Sequence, residues 1–90
     1  MNLQDLIHEM HFLAEQLRKF EDKYGILSRD FYEAMESGQL AEFDGDANYH
    51  QDFLTWHGLY KAWLYREQQY RQLLKRRPIV EQLHAVLIPA

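Results

Sequence analysis

Apolar positions in the first 24 residues recur on a fixed step: Leu3, Leu6, Met10, Leu13, Leu17, Phe20 and Tyr24, at intervals of 3, 4, 3, 4, 3 and 4. Gln, Asp, Glu, His, Arg and Lys occupy most of the positions between them. A stripe repeating every 3.5 residues runs down one side of an α-helix, so the pattern predicts an amphipathic helix over Leu3–Tyr24, roughly 33 Å long. Asn2 or Met1 starts it. Gly25 stops it, because glycine adopts the left-handed closing conformation without a Cβ penalty, and Ile26 is then placed to fold back on Phe20.

A second stripe crosses residues 48–76: Tyr49, Phe53, Trp56, Tyr60, Trp63, Glu67, Tyr70 and Leu74, at intervals of 4, 3, 4, 3, 4, 3 and 4. Two long helices with one apolar stripe each bury those stripes on one another, which predicts an antiparallel hairpin. Matching the stripes places Phe53 near Phe20, Trp56 near Leu17, Tyr60 near Leu13 and Trp63 near Met10. In that register Tyr70 reaches the level of Leu3 and the sequence RQLLKRR overhangs the end of the first helix.

The segment between the stripes supplies the corner. Ser28 reads as an N-cap, Asp30 sits at the positive end of the following helix dipole, and Leu27 and Tyr32 have the spacing of a hydrophobic staple. A short helix over residues 29–37 shows Phe31, Ala34 and Met35 inward and ends at Gly38. Residues 38–47 form a Gly- and Asp-rich loop, after which Asp46 or Asn48 caps the last long helix. Pro78 breaks that helix. Beyond it, Ile79, Val80, Leu83, Val86 and Leu87 suit a short helix, although the Ile and Val content also permits a strand. The expected fold is all-α: a hairpin domain over residues 1–77 with one short intervening helix, followed by an apolar tail over residues 78–90.

The stripes leave apolar residues over. Phe12, Leu54 and Tyr65 fall on outer faces, and Leu59, Leu64 and Leu73 flank the second stripe. With 90 residues a chain this short builds one modest core and often leans on association. Cover for the surplus comes from a second copy completing a four-helix bundle by dimerisation, from the tail, or from a different protein. The candidate partner-binding residues are Phe12, Leu54, Tyr65, Leu73, Ile79, Val80, Leu83 and Leu87.

Composition narrows the chemistry. There is no cysteine, which excludes disulfides, thiol nucleophiles and Cys-based metal sites. At 47% hydrophobic and 14% aromatic residues the chain is far from disordered composition. The amino terminus lacks the basic start and continuous apolar run of a signal peptide, and no stretch approaches the ~18 apolar residues of a membrane span, so the cytoplasm is the expected location.

The net charge of −4 conceals a segregation. Every charge in residues 30–52 is negative, while residues 61–77 carry Lys61, Arg66, Arg71, Lys75, Arg76 and Arg77 against Glu67. A basic end of this kind, with Tyr65 and Tyr70 nearby, makes Arg66, Arg71, Lys75, Arg76 and Arg77 the candidates for nucleic-acid contact. The acidic remainder and the lack of a helix-turn-helix, finger or RNP signature weigh against it, and the same cations suit a helix C-terminus.

Catalytic and metal patterns are thin. No base or oxyanion hole accompanies Ser28, and the acidic loop lacks the alternating ligands and terminal glutamate of an EF-hand. His8 and His11 are three apart on the outer side of their helix. His57 has no evident carboxylate partner. Glu81 and His84 form one E-x-x-H where a di-iron bundle needs two. Glu67, the one charge on a stripe, is expected to reach water or a cation. No glycine-rich phosphate cradle exists. Neither catalysis, a cofactor, a metal nor a small-molecule substrate is expected.

Phe20-Glu21-Asp22-Lys23-Tyr24-Gly25, then Ser28, Asp30-Phe31-Tyr32, Gly38, Leu40, the acidic loop, Trp56 and Leu59-Tyr60 resemble a group of small all-helical prokaryotic proteins. These are common in cyanobacteria and often encoded beside a toxin-like gene. The resemblance covers about residues 17–65. It implies an antitoxin-like, non-catalytic role in which a protein partner is the ligand. The alternatives kept from the residues themselves are a self-assembling scaffold homodimer and, third, nucleic-acid binding.

Overall fold

The structure, a computed structural model, describes residues 2–87; the helix start offered by Met1 and the last three positions of the tail lie outside them. Four α-helices and no strand occur among the described residues. The long helices α1 (Leu3–Tyr24) and α3 (His50–Arg76) pack on one another as an antiparallel hairpin, with α2 (Ser28–Glu36) across one end. α4 (Ile79–Leu87) follows α3.

The ends of α1 obey their local signals. Asn2 Oδ1 accepts the Asp5 N–H at 2.8 Å, and Gly25, at φ 69°, donates its N–H to the Glu21 carbonyl at 2.8 Å. The corner beyond differs from the sequence expectation. α2 begins at Ser28 itself, and Leu27 is the capping residue without a side-chain bond. The Ser28 N–H is instead met by Glu21 Oε2 from α1, at 2.8 Å. That frees the buried Ser28 hydroxyl to accept the Trp56 indole N–H at 2.9 Å. A buried indole donor left without an acceptor is costly, so the hydroxyl serves the core and not the helix end. Ile26 and Leu27 stay exposed, so neither folds back nor staples. Tyr32 stacks on His57 of α3 with ring centroids 4.9 Å apart.

The loop contains one 3-10 turn, Ala41–Phe43. α3 starts two residues later than the stripe suggested, and Tyr49, not Asp46 or Asn48, holds the capping position, with no side-chain cap bond. Asp46 shapes the approach: its Oδ1 accepts the Asn48 N–H at 2.8 Å and its carbonyl accepts the His50 N–H at 2.9 Å.

Trp56 is the centre of the core, at 0% exposure. Phe31 of α2 stacks on it at 3.8 Å, and Phe20 and Tyr24 of α1 each stack on it at 5.6 Å. Leu17 completes the cluster. Leu3, Leu6 and Leu13 are buried along the rest of α1.

The large indole decides the register. Trp56 lodges against Phe20 and Tyr24, and Tyr24 meets Phe53 at 5.7 Å. The register expected from stripe matching set Phe53 at Phe20 and Trp56 at Leu17. Trp56 does share the core cluster with Leu17, and Trp63 a hollow with Met10, but Phe53 meets Tyr24, so α3 sits a few residues further along α1. Leu3 and Asn2 therefore share a surface hollow with Leu73, Arg76 and Arg77. Arg76 and Arg77 thus lie beside the start of α1, and the overhang is shorter than the stripes implied.

The molecule measures 56 × 22 × 20 Å, with a radius of gyration of 16.9 Å, against ~12 Å for a compact chain of this length.

Candidate protein-interaction site

α4 carries the most exposed apolar surface. Pro78 precedes it, where a missing N–H costs nothing, and the Pro78 carbonyl accepts the Gln82 N–H at 3.1 Å. Glu81 stands in the first turn, where the dipole favours an acid. Ile79, Val80, Leu83, Val86 and Leu87 recur at i, i+1, i+4, i+7 and i+8, one flank of the helix. All five are exposed, Leu87 to 71%. α4 packs on none of the other helices to any extent comparable with their packing on one another.

The other candidates divide. Phe12 (62% exposed), Leu54 and Tyr65 are exposed on the hairpin, as their positions outside the stripes implied. Leu73 is half-buried and lines hollows beside Leu3 and Leu6, so it belongs to the seam. The structure adds Ile26 and Leu27, which the sequence reading spent on capping motifs, and Val86, readable from its seven-residue spacing to Ile79.

A furrow runs between α1 and α3 on the side that α2 partly covers. One stretch, of about 310 Å³, is lined by Ile7, Met10, His11, Ala14, Trp63 and Tyr70. A second, of about 360 Å³, shares Ala14 and Trp63 and continues past Leu17 and Tyr60 to Leu27 and Ser28 at the start of α2. Sequence reasoning missed this surface. Its signal was the spacing of Ile7 and Ala14, seven apart and immediately beside stripe positions.

Among the five basic candidates, Arg66 is committed internally. Its guanidinium pairs with Glu9 at 2.7 Å and donates to Gln69 at 2.8 Å. Arg71 lies beside the Tyr70 ring, and Arg77 donates to Gln82 at 3.3 Å. Arg71, Lys75, Arg76 and Arg77 are exposed.

At the opposite end Asp52 Oδ2 accepts from both Lys23 Nζ and the Tyr24 hydroxyl, each at 2.6 Å. The hydrogen bond from Lys23, then that from Tyr24, lowers the Asp52 pKa. The bond to Asp52 raises that of Lys23, and burial, then the bond to Asp52, raises that of Tyr24. The stabilisation from Asp52 is complete above the ordinary carboxylate range and disappears as pH falls through its lowered pKa. That from Lys23 and Tyr24 is complete below their ordinary values near ~10 and disappears as pH rises through the raised ones. Thermal melts should show Asp52→Asn below wild type at pH 7, with a smaller gap at pH ~2, because protonation of Asp52 removes the charge that both donors meet. An equal gap at both pH values would refute the assignment.

His57 has a carboxylate partner after all: its Nε2 lies 2.7 Å from Glu36 Oε1. The acid comes from α2, brought over by tertiary packing and not by sequence spacing. His8, His11 and His84 are exposed. Among the described residues no group of three or more His, Asp or Glu is placed to hold a metal. Glu67 is half-buried in a hollow with Arg29, Tyr32, Glu33, Tyr60, Trp63 and Leu64. No helix among the described residues is long and apolar enough to cross a membrane. Comparison with protein-family models, with curated proteins and with solved structures finds no match.

Proposed function

We propose that the chain is a non-catalytic protein-binding module of the antitoxin kind, acting in the cytoplasm by covering its partner's functional surface. The observation that carries this reading is the ridge of α4, five apolar side chains on a helix that the rest of the chain leaves uncovered. An amphipathic helix with anchors at i, i+4 and i+7 or i+8 suits insertion into a hydrophobic groove. Phe12, Leu54 and Tyr65 add apolar contact on the hairpin. The partner class, a toxin-like protein encoded nearby, comes from the sequence resemblance. The internal pairing of Arg66 weighs against the nucleic-acid alternative.

The test is co-purification with the protein encoded beside it, comparing the full chain with Ile79→Asp/Leu83→Asp. Both positions are exposed, so the melting temperature of the variant should match wild type. Its affinity should fall ~30-fold or more, the loss expected when a hot spot worth ~2 kcal/mol is removed. Undiminished binding by the double variant would overturn the role of α4.

A further inference from the structure

We propose that the furrow between α1 and α3 is the interface of an antiparallel homodimer of this chain, packed on itself about a two-fold axis near Met10 and Trp63–Tyr70. This goes beyond the partner-binding reading, because it uses a different surface and leaves the α4 ridge to the other protein.

Surface area is the first argument. A monomer of 10.9 kDa is expected to expose ~5,600 Å². This chain exposes 6843 Å², an excess of roughly 1,200 Å² over that expectation. Each side of a standard interface buries ~800 Å², so the excess accommodates such an interface with area remaining for α4.

The furrow has the lining an interface core requires. Ile7, Met10, Ala14, Trp63 and Tyr70 line its first stretch with His11, and Arg18, Glu21 and Arg29 rim the second. Trp, Tyr and Met are the residue types that interface cores concentrate. An isologous interface repeats one patch on both partners, so residues near the axis meet their own counterparts.

The arrangement of charge selects a second copy. α2 lies across α3 between Phe53 and Tyr60, as its contacts with Phe53, Trp56, His57 and Tyr60 define. It carries Asp30, Glu33 and Glu36, all exposed, with Glu33 beside Arg29 and Glu36 beside His57, so acids outnumber cations on it. Arg71 and Lys75 lie the other way along α3, also exposed, while Arg76 lines the hollows beside Leu3 and Leu6. About a two-fold midway between Trp63 and Tyr70, a residue n positions toward the C-terminus of α3 faces a level n positions toward its N-terminus in the second copy. Lys75 thus comes opposite the level of Gly58, where α2 crosses. The cations of each copy lie over the acids of the other, and both ends are satisfied at once. A parallel arrangement would put acid on acid and base on base. Glu67, close to the axis, shares its hollow with Arg29.

Light scattering on the full chain alone, with no other protein present, tests this. The expected mass is twice the 10.9 kDa of one chain. Asp30→Lys/Glu33→Lys and Arg71→Glu/Lys75→Glu change exposed residues, so circular dichroism should show both folded. Each should weaken the dimer ~10-fold or more, since like charges then face each other at both ends. Mixing the two variants in equal amounts should restore dimerisation, because every facing pair is again of opposite sign. Met10→Glu should dissociate the dimer irrespective of the charge variants. A monomer at ~100 μM, well above the Kd of a standard-size interface, overturns the proposal. So does a dimer that neither charge variant weakens, one that mixing fails to restore, or one that disappears on removal of residues 78–90, which would place the contact in α4. These outcomes are separate from the co-purification result, which depends on Ile79 and Leu83.

Discussion

Trp56→Ala should leave the chain largely unfolded at 37 °C. The indole is fully buried and joins aromatic rings from both α1 and α2, stacking on Phe20, Tyr24 and Phe31. Truncating a buried Trp costs about 3–5 kcal/mol, because the surrounding rings cannot all move into the space. The buried Ser28 hydroxyl also loses its donor, which adds on the order of 1 kcal/mol. A small domain has about 5–10 kcal/mol in total, so most of the margin goes. In a chain of this size each kcal/mol moves the melting temperature by about 4–8 °C, and a fall of at least ~15 °C is expected. Far-ultraviolet dichroism at 222 nm during a thermal melt reads this directly. A fall of less than ~5 °C would mean that the packing around Trp56 is not what holds the hairpin.

Phe31→Ala should produce a different failure. Phe31 is the apolar anchor of α2, buried between Trp56 and Phe53, with centroids 3.8 and 5.2 Å away. Its removal costs about 3–5 kcal/mol by the same reasoning. The rest of α2 is tied down by Tyr32, the Ser28–Trp56 bond and the Glu36–His57 pair. α1 and α3 keep their own seam beyond α2, through Leu3, Leu6 and Leu13. The loss should therefore fall on α2 first. Hydrogen exchange should show the amides of Ser28–Glu36 losing protection while those around Leu6 and Leu13 keep theirs. Equal loss in all three helices would show instead that α2 and the hairpin open as one unit.

The fold was legible where one local rule decided the outcome. The first stripe gave both ends of α1, because Asn2 and Gly25 act on their own backbone neighbourhoods. The hairpin followed from two stripes of matching period. Register followed only approximately: Trp56 meets Leu17, but Phe20, Tyr24 and Phe31 also close on the large indole and draw α3 a few residues further along. The roles at the corner were likewise set at a distance. Glu21 reaches across Gly25 to cap α2, and Ser28 bonds a residue 28 positions away. The candidate site was legible in part: the α4 residues, Phe12, Leu54 and Tyr65 stand clear of any stripe and are exposed. The furrow was not legible, because Ile7 and Ala14 become a surface only once α3 is set beside them. The internal use of Arg66 depended on the slide of α3 that brought it to Glu9.

Two ion pairs on the hairpin have a bearing on the relative direction of its helices. Glu9 meets Arg66, and Lys23 meets Asp52. Fourteen positions separate Glu9 from Lys23 in α1, and fourteen separate Asp52 from Arg66 in α3. Turn α3 end for end, as when an α1 captures another chain's α3 pointing the same way, and one alignment brings both pairs of sites together again, now as Glu9 with Asp52 and Lys23 with Arg66. Both contacts are then repulsive. Either ion pair, being partly solvated, adds little to stability, yet together they penalise the wrong polarity at two places four helical turns apart. The same four side chains that contribute little to holding the correct hairpin together act as a check against its misassembled counterpart during synthesis, when many unfinished copies are close to one another.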